Sequence, residues 1–383
     1  MEEKIAYFDN AATTFPKPEC VYAAMDHCAR NFGVSMGRGQ HLLSARASHI
    51  ADETRELILR MFHCSNKKVV FTNTATEAFN IILTPANVPS GSTIYISPFE
   101  HNAVTRLLRH IGTINSICIE QLSVDKTTLE FNLTEIDEQF KRKSPDYVVI
   151  SHASNVTGGI APIKEILTSA KKYKATTIVD MCQTAGLIDT NISSSLYDYV
   201  VFAGHKTLYG PLGISGFICQ EPDILSPLVY GGTGVESANQ DMPKHSPERF
   251  EAGSRSSTAI AGLNASLKWI LDIGIDEIYR KEEENKIRLL ETLSRYDNIK
   301  NIRPTHQIGL VSCLFDKYSS DEIGQVLSEQ GIAFRSGLHC APFAHQFIGT
   351  YPAGTVRFSV GYFNGDDDFD MLTRALDYIQ ENS

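Results

Sequence analysis

Short apolar, β-branched runs recur along the first part of the chain: Lys68–Phe71, Thr93–Ile96, Ile117–Ile119, Tyr147–Ile150, Thr176–Val179, Tyr199–Phe202 and Ile214–Ile218. Amphipathic segments fill most of the intervals, so the pattern predicts β-α-β units around a mainly parallel, seven-stranded sheet. From about Ala259 the pattern changes. Helical periodicity runs through Ala259–Leu271 and Ile278–Leu293, a strand follows at Leu310–Phe315, and then a helix with Ser320 as N-cap and Gly331 as C-cap. Strands are expected around Ile332–Arg335 and Thr355–Val360. A last helix spaces Phe369, Leu372, Leu376 and Ile379 along one face behind an acidic first turn. The reading is an α/β protein with a large domain at 15–258 and a smaller C-terminal α/β domain at 259–383, which residues 1–14 join. There are no internal repeats and no low-complexity linker.

With 383 residues, 42% of them hydrophobic and 21% charged, the chain can bury a large core. A net charge of −10 argues against a nucleic-acid partner or a membrane surface. The basic clusters Lys141-Arg142-Lys143 and Lys171-Lys172-Tyr173-Lys174 read as solvated helix faces. The N-terminus has no apolar signal core, and no run approaches the roughly 18 apolar residues of a membrane span. Eight cysteines lie scattered without C-x-x-C pairs, which suits a reducing cytoplasm and provides neither a disulfide framework nor a metal site. Cys118 and Cys219 sit in strand-like runs and read as inert small hydrophobes.

Parallel sheets place ligands at the carboxyl ends of their strands. Two predicted strand ends there deliver chemistry: Thr177-Ile178-Val179-Asp180, with Gln183 beyond it, and Val200-Val201-Phe202-Ala203-Gly204-His205-Lys206. Alone, a lysine after a strand is ordinarily solvated, and a carboxylate ending an apolar strand is costly without a cation. Together they supply what pyridoxal phosphate (PLP) needs: a lysine for the Schiff base, and an acid that keeps the pyridine nitrogen protonated so that the ring acts as an electron sink. Gln183 is placed to reach a second ring substituent. Phe71-Thr72-Asn73-Thr74-Ala75-Thr76-Glu77 passes from strand to helix through hydroxyl residues, which reads either as an ordinary cap or as a phosphate site on free N–H groups. His101, at another strand end, is placed to stack on a cofactor ring, although a lone histidine is more often structural.

Asp180-x-x-Gln183, Gly204-His205-Lys206, Ala75-Thr76-Glu77, Glu100-His101 and Ser154-Asn155 together resemble the class V aminotransferase group of fold type I PLP enzymes. Tyr7-Phe8-Asp9-Asn10-Ala11-Ala12-Thr13 and Arg335-Ser336-Gly337-Leu338-His339-Cys340-Ala341 are similar to the group II cysteine desulfurases within it. The resemblance implies that Lys206 holds PLP, Asp180 pairs with the ring nitrogen, Gln183 and Asn155 lie near the ring hydroxyl, and His101 stacks on the ring. It implies that Ala75, Thr76 and His205 surround the phosphate, and that Ser254 reaches the phosphate of the other subunit of a homodimer. Arg357 would grip the substrate carboxylate, with Arg335 and Asn155 assisting, and Arg38-Gly39-Gln40-His41 would stand at the entrance. Two positions depart from the family pattern: Ala203 stands where Ser or Thr is usual, which removes a phosphate contact, and Thr74 replaces a common glycine. The tail from Pro342 to Arg357 also differs from the best-known sulfur-mobilising members.

The resemblance makes Cys340 the nucleophile. Lys206 takes the α-proton of L-cysteine, the Cys340 thiolate attacks the substrate sulfur, and alanine leaves a persulfide on Cys340 for a sulfur-acceptor protein. Either His339 or protons from substrate and cofactor would activate the thiol. Selenocysteine lyase or C–S lyase chemistry, another class V activity such as an aminotransferase or epimerase, and a scaffold with weak PLP binding stand as alternatives.

Overall fold

A computed structural model describes residues 4–37, 39 and 41–382. The strands are β1 (Ala6–Tyr7), β2 (Lys68–Thr72), β3 (Thr93–Ile96), β4 (Cys118–Gln121), β5 (Tyr147–Ser151), β6 (Thr176–Asp180), β7 (Tyr199–Ala203), β8 (Ser215–Cys219), β9 (Ile299–Asn301), β10 (Leu310–Phe315), β11 (Ile332–Ala333), β12 (Arg335–Gly337) and β13 (Thr355–Ser359). The helices are α1 (Glu19–Asn31), α2 (Leu42–Met61), α3 (Ala75–Ile82), α4 (Asn102–Ile114), α5 (Leu133–Arg142), α6 (Ile163–Lys171), α7 (Ser257–Ile273), α8 (Ile275–Leu293), α9 (Ser320–Glu329), α10 (Pro342–Ile348) and α11 (Asp366–Glu381).

All seven apolar runs become strands of one sheet, ordered β2-β8-β7-β6-β5-β3-β4. Only β8 runs against its neighbours β2 and β7; the other adjacent pairs are parallel. Strands β5 to β7 are apolar on consecutive positions because helices cover both faces of the sheet. One core, with Phe71, Ile150, Val179 and Phe202, lies on one face. The other, with Val70, Val149, Ile178 and Val201, lies under α3 and α4. Helices α1 and α2 pack on α7, whose Ile260, Leu263, Leu267 and Ile270 are buried in the first of these cores.

The C-terminal unit is an antiparallel sheet, β12-β13-β10-β9, whose core includes Val311 and Phe358 with Phe369, Leu372 and Leu376 of α11. The N-terminal segment enters this unit: β1 pairs in parallel with β11, and Phe8 is buried in the same core. Two expectations are corrected here. The cap of α9 is Ser319, not Ser320: Ser319 accepts from Glu322 N while the Glu322 side chain returns to the Ser319 N–H. Ser320 instead donates to Ala353 O at 2.6 Å. The run around Ile332–Arg335 is two strands, β11 paired with β1 and β12 paired with β13, because Phe334 separates two different partners. Gly331, one residue past the C-cap Gln330, takes the left-handed φ of +74° that closes the helix. Among the described residues no helix is long and apolar enough to cross a membrane.

Candidate active site

The carboxyl edge of the large sheet, with Arg335 at the start of β12 and Arg357 in the middle of β13, encloses a cavity of about 280 Å³. Asp180, the last residue of β6, faces it from a buried position and accepts from Cys182 N at 2.8 Å. Lys206, half-buried three residues past β7, reaches the same space, as do Gln183, His205, His101, Asn155, Ala75 and Thr76. Gln183 Nε2 donates to Ala11 O at 2.9 Å, which ties the N-terminal segment to the cavity floor.

Thr74 caps α3 by accepting from Glu77 N, so the open N-terminus of that helix, with Ala75 and Thr76, points its first N–H groups at the cavity. His101 caps α4 five residues beyond β3, not at the strand end itself; Ala103 N donates to its Nδ1 at 3.0 Å. Burial, with Lys206 adding to it, pulls this imidazole down to about 4, so the ring is neutral at neutral pH. His205 is likewise pulled to about 4 by burial and by Lys206 and Lys17, and its Nδ1 is buried without a hydrogen-bond partner.

The other wall is built across the β12–β13 ladder, which sets Arg335 opposite Arg357. Arg357 is buried; Nη2 donates to Asp9 Oδ1 at 2.7 Å, Nη1 to Asn155 O at 2.9 Å, and Nε has no partner. Cys340 lies in the turn between β12 and α10, beside the cavity, with Arg335 Nη2 donating to its Sγ at 3.4 Å. Its carbonyl accepts from Asn102 N at 2.7 Å, and Asn155 Nδ2 donates to His339 O at 2.7 Å. His339 and Cys340 both adopt left-handed φ, +47° and +58°, and the hydrogen bonds to their two carbonyls help hold that backbone.

His339, the neighbour of Cys340, is held by a chain of hydroxyls. Ser312 Oγ donates to Val156 O, Thr355 Oγ1 donates to Ser312 Oγ, and so the Thr355 oxygen accepts from His339 Nε2 at 2.9 Å. Burial, reinforced by Arg357, drives this ring to about 2. An imidazole held neutral cannot supply the positive charge that favours a thiolate; the cation beside Cys340 is Arg335.

The structure does not bring every expected residue here. Ser254 is exposed and lines a separate hollow with Arg55, Glu251 and Arg255. His41 is exposed and caps α2, accepting from Ser44 N at 3.2 Å, while Arg38 and Gln40 lie outside the described residues. Three groups carried no assigned role in the sequence reading. Asp9 holds Arg357. Glu100, wholly buried, accepts from Ser97 Oγ and from the N–H and hydroxyl of Ser151, and burial pushes it up to about 7. Lys17 donates to Thr14 Oγ1 at 2.8 Å and to His205 O at 2.7 Å, and burial pulls it down to about 7. Asp9 and Glu100 each had a signal, their places in the Tyr7–Thr13 and Glu100-His101 motifs, and Lys17 had none.

A cysteine desulfurase of Thermococcus onnurineus NA1, solved in its apo form, superposes with a TM-score of 0.90 at 27% identity, covering 99% of this chain and 95% of that one. The architecture is that of the fold type I PLP enzymes. Residues 6–372 match the aminotransferase class-V family, and the chain belongs to it. It is 29% identical to a protein of Halalkalibacterium halodurans named "Probable cysteine desulfurase" over 385 residues, 98% of this chain and 93% of that one. A protein of Mycobacterium leprae named "Probable cysteine desulfurase 2" is 30% identical over 401 residues, 98% of this chain and 93% of its own.

Proposed function

We propose that the protein is a PLP-dependent cysteine desulfurase that converts L-cysteine to L-alanine, with a persulfide formed on Cys340 and passed to an acceptor protein. The observation that carries the reading is the single cavity that gathers Lys206 and Asp180 on one wall and Arg357 and Arg335 on the other, with Cys340 bonded to Arg335. The cavity fits the cofactor: it has an acid at a strand end for a ring nitrogen, an open helix N-terminus for a phosphate, and a buried His205 Nδ1 without a partner. Bound there, PLP would act as the electron sink for charge developing at the substrate α-carbon.

The chain's own residues supply the rest. Asp180 would hold a proton on the ring nitrogen, and Lys206 Nζ would tether the cofactor and move the α-proton. Arg357 Nε, a buried donor without an acceptor, would take a carboxylate oxygen; a guanidinium suits that bidentate task better than an ammonium. The neutral His101 ring would lie against the cofactor without adding charge. Cys340 Sγ attacks the substrate sulfur, with the Arg335 guanidinium beside it to attract the negative charge. The substrate C–S bond breaks, the Sγ–S bond forms, and the carbon skeleton keeps its electrons and gains a proton, so the products are alanine and a persulfide. The exposure of Ser254 away from the cavity supports reading the enzyme as a homodimer, and its free cysteines support a reducing cytoplasm.

The test measures alanine, sulfide and selenide release from cysteine and selenocysteine in wild type and in Cys340→Ala. Loss of cysteine turnover by at least about a hundredfold is expected, the scale of removing a nucleophile. Unchanged cysteine turnover would sink the persulfide chemistry, and selenocysteine turnover that survives the substitution would favour a lyase.

A further inference from the structure

Three strands end side by side next to the cavity: Ser215, the first residue of β8, pairs with Thr72 of β2 on one side and, on the other, with Ala203 of β7, which lines the cavity. Directly paired residues project from the same face, with Cβ atoms about 5 Å apart. That face is the one carrying the cavity: Ala203 lines it, and Thr72 turns its hydroxyl to Thr74 O at 2.8 Å, where α3 begins. Ser215 therefore stands between the α3 N-terminus and Ala203, next to the position that lacks a hydroxyl. It is 1% exposed, and its Oγ has no hydrogen-bond partner. A buried hydroxyl without a partner is a standing cost that a native chain keeps for a reason. Two further atoms on the exit from β7, His205 Nδ1 and Thr207 Oγ1, are also buried without partners. A helix N-terminus that shares a cavity with the unpartnered His205, beside the strand end carrying Ser215, suits a compact anion with several acceptor oxygens.

We propose that Ser215 Oγ is a ligand of the PLP phosphate, donating from β8 the hydrogen bond that Ala203 cannot donate from β7. The inference rests on the cofactor reading above and goes beyond it by assigning a residue on a different strand. Its consequences are opposite in the two forms of the protein. In the apo protein, Ser215→Ala removes an unsatisfied polar atom and leaves only the volume of one oxygen empty, so it is neutral or stabilising. In the loaded protein it removes a charge-assisted bond.

The experiment titrates PLP into apo wild type, Ser215→Ala, Ala203→Ser, and the double variant Ala203→Ser/Ser215→Ala, reading visible absorbance, the melting temperature and the phosphorus resonance of bound PLP. Ser215→Ala should raise Kd by about tenfold, the scale of one hydrogen bond to a charged group. Its apo melting temperature should be no lower than wild type, and its gain on adding PLP should shrink. The double variant should recover most of the affinity, and the phosphorus resonance should move in Ser215→Ala and return in the double variant. Wild type that binds PLP beside a Ser215→Ala protein with unchanged Kd overturns this assignment alone. So does an apo Ser215→Ala that melts lower than apo wild type, or a folded double variant that recovers nothing. Wild type that takes up no PLP overturns the cofactor reading and this assignment with it.

Discussion

Arg335 and Cys340 are five residues apart in sequence, and the turn that joins them takes positive φ at Gly337, His339 and Cys340 itself. A guanidinium 3.4 Å from a sulfur attracts the negative charge the sulfur carries when it attacks, while burial pulls the neighbouring His339 down to about 2 and leaves it uncharged at neutral pH. Arg335→Ala should therefore slow alkylation of Cys340 by iodoacetamide near neutral pH by about three- to tenfold, the range expected from losing one partly solvated charge. Mass spectrometry of the Cys340 peptide against time measures it, with Cys20, an exposed thiol on α1, as the internal reference. Equal labelling rates in the two proteins would remove Arg335 from the activation of the nucleophile. The R-x-G-x-H-C pattern exposes the neighbours of Cys340, but not which neighbour is charged. That choice depends on the Thr355–Ser312–Val156 chain, which assembles residues far apart in sequence.

The helices and strands were legible to the extent that their stabilisation is local. Two-sided burial gives β5, β6 and β7 continuous apolar runs, and the α11 stripe of Phe369, Leu372, Leu376 and Ile379 is buried as its spacing requires. The α9 cap was misplaced by one residue, because two adjacent serines are equivalent until a capping box selects one. The β11–β12 break was not legible, since it depends on β1 and β13 arriving from opposite ends of the chain. Packing also places α7 with the large sheet, so we propose that the junction with the C-terminal unit falls at Gly274, where φ is +92°. The β12–β13 ladder, which carries both arginines, closes on a contact that a sequence does not display. A Cβ on Gly354 would come within 2.2 Å of Gly337 O, at a φ of +76°. Gly354→Ala should then cost about 2–4 kcal/mol of stability through clash and strain together, and displace Arg335 from Arg357. Urea unfolding checks the first consequence and cysteine KM the second; a variant as stable as wild type would show that the ladder yields easily.

At the scale of the molecule, the fold brings residues 9, 101, 155, 180, 206, 335 and 357 within reach of one cavity, and only the strand ends Asp180 and Lys206 signalled that convergence through periodicity. Enclosing so many polar groups leaves a signature in the pH dependence of stability. Burial pulls His101, His152, His205 and His345 to about 4 and His339 to about 2, so the folded chain resists protons that the unfolded chain accepts below about 6.5. Between about 4 and 6.5 the unfolded state binds more protons, and stability from these groups rises with pH, by at most about 1.4 kcal/mol per pH unit for each histidine. Glu100 and Glu282, both pushed up to about 7 by burial, act the other way between about 4.5 and 7, because the folded state then holds protons that the unfolded chain releases. Five histidines outweigh two carboxyls, so acidification from pH 6.5 to 4.5 should lower the free energy of unfolding of the apo protein. The two contributions separate by substitution: His152→Gln, whose ring meets Thr184 Oγ1 at 3.0 Å, should flatten the fall, while Glu100→Gln should steepen it. Urea unfolding at half-unit pH steps measures all three proteins. Stability that holds level or rises on acidification would mean that these imidazoles find protons, and solvent, inside the fold.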